Sequence, residues 1–184
     1  MIRALRAAAV PLALVPVLGA CESRTEPAPR PSPAPSKKVS AAIPAPALDA
    51  LRHATLELLS LYPYDEESDE EAWADGGLRD LPRVGGFAVL GGTTVEGDAR
   101  AIALSAVFDG IDASDGVTAD CFEPRHALRA TTADHRYELV LCFACLSMDV
   151  LEDGREVGHV TTTEDPRGAL NAILRLADVP LPEE

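Results

Sequence analysis

Aromatic residues are scarce in this chain: four Phe, three Tyr and one Trp among 184 residues. Its core must therefore be filled by Leu, Val, Ile and Ala. Lysine is scarcer still, with none beyond Lys38. From Ala47 onward 10 arginines face 28 acidic residues, a balance of −18. Such a surface is repelled by phosphate backbones, which excludes nucleic acid as a partner. The usual catalytic signatures are missing as well, with no G-x-S-x-G elbow and no H-E-x-x-H. The glycine pairs at 85–86 and 91–92 make no G-x-G-x-x-G fingerprint, and no P-loop Lys-Ser/Thr follows them. Six acids crowd into Asp65–Glu71 without the alternating ligands and central glycine of an EF-hand loop, so self-repulsion predicts a solvated, mobile loop. Glu152-Asp153 and Glu164-Asp165 fall at turns and helix starts, where capping accounts for them. These absences argue against an enzyme.

What is present begins at the N-terminus. Arg3 and Arg6 precede an uncharged apolar run, Ala7–Leu18, which is followed by the small residues Gly19 and Ala20. This is the layout of a secretory signal. The run falls short of the roughly 20 apolar residues needed to span a bilayer. The sequence Leu18-Gly19-Ala20-Cys21 resembles the lipobox of bacterial lipoproteins. The resemblance implies cleavage before Cys21 and acylation of Cys21, which would anchor the chain to a lipid bilayer. Glu22, where an inner-membrane retention signal would have Asp, points by the same resemblance to the outer membrane of a Gram-negative envelope.

Residues 21–46 read as a linker. Seven prolines alternate with Ala, Ser, Arg and Lys between Glu22 and Pro46. Proline removes backbone donors and fixes φ, which favours an extended tether over helix or sheet. Residues 47–184 read as one acidic domain. A helix is expected from Pro46 to Tyr62, with Leu48, Leu51, Thr55, Leu58 and Leu59 on one face and Pro63 as its stop. Gly85–Val95 reads as a strand and Asp98–Ile111 as a broadly apolar helix. Short strands follow at Val117–Phe122 and Ala127–Thr132, then one long central strand from Tyr137 to Leu151. Asp153-Gly154 marks a hairpin turn. Asp165-Pro166 opens a last helix, with Leu170, Ile173, Leu174 and Ala177 buried. The order predicts an α+β fold, an antiparallel sheet packed with about three helices.

Three cysteines remain in the domain. Cys121-Phe122-Glu123-Pro124-Arg125-His126 and Cys142-Phe143-Ala144-Cys145 stand out. The combined pattern, with VTTT and VPL segments further on, resembles exported bacterial proteins of unassigned function over Val84–Pro182. Four chemistries fit these residues. Cys121, His126, Cys142 and Cys145 have the ligand set of a structural zinc site, although Cys142 and Cys145 would point to opposite faces of a regular strand. In an oxidising compartment Cys121 could instead bridge to Cys142 or Cys145 and leave one thiol over. A reactive thiol pair is a third reading, and a set of buried small hydrophobes a fourth. His53, His135 and His159 are scattered and read as ordinary surface or core histidines.

The expectation is thus a lipid-anchored protein of the cell envelope, presenting a non-enzymatic domain to another envelope component. Its rival is a Cys/His module, metal-binding or thiol-active.

Overall fold

A computed structural model describes residues 31–182, residue 76 excepted. The signal sequence and Cys21 lie outside the described residues. The remainder is an α+β domain built on a seven-stranded antiparallel sheet. In chain order the elements are α1 (Lys37–Ala42), α2 (Ala45–His53), β1 (Thr55–Leu61), α3 (Glu70–Asp75), β2 (Arg83–Val84), β3 (Phe87–Thr94), α4 (Gly97–Ala113), β4 (His126–Thr131), β5 (Arg136–Cys142), β6 (Ser147–Glu152), β7 (Arg155–Thr161) and α5 (Pro166–Leu176). The strands lie in the order β2-β3-β1-β4-β5-β6-β7.

The two faces of the sheet follow from the period of two along each strand. Leu58, Leu128, Leu139 and Val150 stand opposite one another across four strands. They join one core with residues of α1, α2, α4 and α5. On the other face Leu59, Ala127 and Val140 form a second cluster with Val84 and Phe87. The sheet curls so that the β2–β3 turn covers this face. A Cβ on Gly85, whose φ is +57°, would touch Leu151 and Val140 at 3.4 Å. Both faces are therefore dry near the centre, which is why β1 shows no clean alternation in its sequence.

Three local expectations are corrected. The helix foreseen to Tyr62 ends at His53, and Thr55–Leu61 is a strand pairing with both β3 and β4. Its leucines sit at spacings that fit either period. The long strand foreseen from Tyr137 to Leu151 is two strands, β5 and β6, folded back through a four-residue turn at Phe143–Leu146. Leu146 takes a left-handed φ of 57° to close that turn. Val117–Phe122 forms no strand.

The acidic segment is more ordered in structure than its charge suggests. Glu66 pairs with Arg79 and Arg83, Asp69 accepts from the Tyr62 hydroxyl at 2.5 Å, and α3 buries Trp73 completely. The Asp69 bond pushes the Tyr62 pKa up to about 12.

The tether ends earlier than its proline content implies. Ser36 caps α1 by accepting from the Val39 amide at 3.1 Å. Val39 and Ile43 are buried in the main core, at 0% and 1% exposure. Lys38 reaches across to the carbonyls of Asp112 and Ser114. Pro44 and Ala45 then serve as cap and first residue of α2. Burying Val39 and Ile43 contributes about 1.5–3 kcal/mol each. A chain starting at Ala47 is therefore expected to be less stable than one starting at Pro31 by about 3–5 kcal/mol, read from urea unfolding midpoints. Equal midpoints would return α1 to the tether.

Candidate functional site

The sulfur atoms converge where β5 ends. Cys142 is the last residue of β5 and Cys145 lies in the turn to β6, so the chain reverses between them. This reversal, absent from a regular strand, brings their Cα atoms to 5.2 Å and closes a disulfide. Both residues are fully buried. The segment between α4 and β4 runs over this turn. It is held there by Ala119 N–H donating to the Cys145 carbonyl at 3.0 Å and Arg125 N–H donating to the Leu141 carbonyl at 3.3 Å. The same segment carries Cys121, which is exposed and unbridged, to within 2.8 Å of the Cys145 sulfur. All three sulfurs lie within 4.8 Å of one another.

Backbone donors surround the sulfur that Cys121 does not touch. The amides of Glu123 and Cys145 approach Cys142 Sγ at 3.4 and 3.2 Å. Cys121 itself opens into a groove of about 320 Å³ between Tyr64, Asp65, Phe87 and Glu123, on the curled side of the sheet. An approaching group would meet Cys121 first, with acidic side chains at the rim.

The three cysteines foreseen as a cluster are thus brought together, but His126 is not. Strand parity separates them. His126 stands opposite Leu141 and shares its face, under the helices, whereas Cys142 is one residue on and points to the other face. The bridge also differs from the expected one, since it joins Cys142 to Cys145 and leaves Cys121 beside it. Three thiolates at these separations would suit a soft metal in the reduced protein, as zinc takes sulfur ligands at about 2.3 Å. Two of the three are withdrawn when the disulfide forms, so metal and bridge exclude each other. Of the scattered histidines, His135 pairs with Asp153 and His159 with Asp149, both on the surface, and His53 with Asp49 on α2. The Asp153 bond raises the His135 pKa.

Around His126 lies a second polar site, which the cysteine pattern does not reveal. His126 Nε2 meets Asn171 Oδ1 at 2.7 Å, and the ring packs 5.5 Å from Phe143. Its Nδ1 has no hydrogen-bond partner among the described residues. Nor does Ser60 Oγ, on the residue directly opposite in β1. Arg125, Arg167 and Arg175 line the opening over His126 and Asn171. The signal for this site is the spacing of Arg167, Asn171 and Arg175, four residues apart and so on one stripe of α5.

No family model matches the chain, and neither a curated protein nor a solved structure is similar to it.

Burial pushes the His126 pKa down to about 4, assisted by the charges of Arg125 and Arg167 and opposed by the Asn171 bond. The ring is neutral when folded and takes a proton near pH 6.5 when unfolded. The unfolded chain therefore binds more protons between these values, and stability falls as pH drops from about 6.5 to about 4. The expected loss approaches 3 kcal/mol, levelling off below that window. Urea unfolding across this range should show the slope in the native protein and a shallower one in His126→Gln. Identical slopes would mean that other groups carry the dependence.

Proposed function

We propose that the chain is an envelope lipoprotein, held on its bilayer through Cys21, whose domain exchanges disulfides with a partner through Cys121, Cys142 and Cys145. The observation that carries the thiol reading is the 2.8 Å approach of the exposed Cys121 sulfur to Cys145. A thiolate at Cys121 attacks Cys145 Sγ, and a Cys121–Cys145 bond forms as the Cys142–Cys145 bond breaks. The electron pair of the broken bond stays on Cys142, where the Glu123 and Cys145 amides would support the thiolate. No electrons are gained or lost overall, so this internal step moves the bridge from a buried pair to one with an exposed member. A partner dithiol can then attack Cys121 and leave with the disulfide, reducing the domain by two electrons.

The signal sequence and lipobox support the membrane placement, which also supplies the oxidising setting in which a disulfide persists. Among the described residues no helix is long and apolar enough to cross a membrane. A second reading, favoured by the mutual closeness of the three sulfurs, is metal capture by the reduced domain.

Mixing the oxidised protein with a reduced dithiol peptide should transfer one disulfide per chain. Cys145→Ser is expected to abolish this transfer, and Cys121→Ser to slow it by about tenfold or more. An undiminished rate in Cys121→Ser would remove the relay. For the anchor, radiolabelled palmitate should enter the native chain and not Cys21→Ser, which should leave the membrane fraction. A Cys21→Ser chain that stays membrane-bound would overturn the lipoprotein reading.

A further inference from the structure

Reduction of the bridge would leave three thiols at a place where two backbone amides already donate to sulfur. The Cys121, Cys142 and Cys145 sulfurs lie within 4.8 Å of one another, although they come from two separate segments of chain. A metal ion bonded to sulfur at about 2.3 Å in a plane of three holds its sulfurs about 4 Å apart. All three are close enough for that spacing, so side-chain rotation accommodates an ion without moving the turn. The Cα atoms of Cys142 and Cys145, 5.2 Å apart, keep both thiols at the one reversal. The amides of Glu123 and Cys145 reach Cys142 Sγ at 3.4 and 3.2 Å. Such donors disperse the charge of a ligating sulfur and fix its direction.

The ligand count selects the ion. Among the described residues no histidine or carboxylate joins the three sulfurs, and strand parity turns His126 to the other face. Structural zinc completes a tetrahedron of four protein ligands, and iron–sulfur clusters take four thiolates. Three soft thiolates alone suit Cu(I), a closed-shell monovalent cation that is satisfied by three ligands. Burial divides the site, since Cys142 and Cys145 are sealed while Cys121 is exposed. An ion held there is shielded on one side and reachable through the groove on the other. Asp65 and Glu123 line that groove, and their field draws cations toward Cys121.

We propose that the reduced domain holds one Cu(I) ion on Cys121, Cys142 and Cys145, and that closing the Cys142–Cys145 bridge expels it. This rests on the exchange reading above, which supplies the reduced state. It gives the metal-capture reading its ion, its coordination number and its means of release. Loading is not a redox step: up to three thiol protons leave as the ion enters, and copper keeps its charge. Unloading is a two-electron step at sulfur. A partner disulfide takes two electrons from Cys142 and Cys145 and becomes a dithiol, and the new bridge withdraws two of the three ligands. Copper stays Cu(I) throughout, with Cys121 as its last contact.

The test uses the full chain carrying Cys21→Ser, so that only the three domain thiols count. The protein is reduced, freed of reductant without oxygen, and titrated with Cu(I) against a chromophoric chelator. Its oxidised form is assayed in parallel for disulfide transfer to the dithiol peptide. The expected result is one Cu(I) per reduced chain, bound at least about tenfold tighter than by the oxidised chain. X-ray absorption should show a shell of three sulfurs at about 2.3 Å, and adding a small-molecule disulfide should release the ion. Cys121→Ser, altered only at an exposed side chain, should fold normally and weaken binding about tenfold or more. His126→Gln should leave binding unchanged. A shell of two sulfurs, a ligand from nitrogen or oxygen, or undiminished affinity in Cys121→Ser would overturn the proposal. So would equal uptake by the oxidised chain. Disulfide transfer without copper uptake would sink the ion site and spare the exchange. Uptake without transfer would remove the exchange and keep the ion site.

Discussion

The alternation of side chains along β5 governs both sites. Tyr137, Leu139 and Leu141 project toward the helices, while Glu138, Val140 and Cys142 project toward the curled side. Every strand in register with β5 inherits the same division. Once Leu141 is committed to the core, its ladder partner His126 must lie under α5, and Cys142 must face away. The histidine and the cysteines are close in sequence pattern and kept apart by one residue of parity. That single constraint converts an apparent four-ligand cluster into a sulfur site on one face and a histidine–arginine site on the other.

Glu138 shows how firmly the division is held. It is 1% exposed on the curled side, where a carboxylate would ordinarily be costly. Arg129, its directly opposed neighbour on β4, donates to it at 2.9 Å, and Arg136 approaches at 3.2 Å. The charge is tolerated because the ladder delivers its partner across the strand. The α4–α5 contact is as exacting. A Cβ on Gly110 would come within 2.6 Å of Pro166 and Thr162, so the start of α5 is seated against bare backbone of α4. The seating fixes where Arg167 and Asn171 fall relative to β4.

Much of the fold was legible in the sequence wherever one residue type carries one meaning. Asp153-Gly154 and Asp165-Pro166 mark the β6–β7 hairpin and the start of α5, and Leu170 and Leu174 line its buried stripe as their spacing requires. Legibility fails where both faces of a strand are dry, as in β1, because adjacent leucines such as Leu58 and Leu59 then fit either period. It fails again at Phe143–Leu146, where no glycine or proline announces the turn and Leu146 supplies the left-handed residue instead. The cysteine cluster could be listed by residue but not by pairing, since the pairing depends on that unannounced turn. The arginine recess depends on Arg125 and α5 meeting across about 40 residues of chain, which only the folded sheet brings about.

The grip of Lys38 sets how force would enter the molecule. Its ammonium holds the carbonyls of Asp112 and Ser114, and Ser36 bonds Asp112, at the junction where α4 gives way to the segment bearing Cys121. A pull on the chain N-terminal to Pro31 is therefore borne first by a six-residue helix and these few polar bonds, with the sheet loaded only afterward. The first helix is thus fastened to the point where the chain leaves α4 for the segment that carries the exposed, unbridged Cys121.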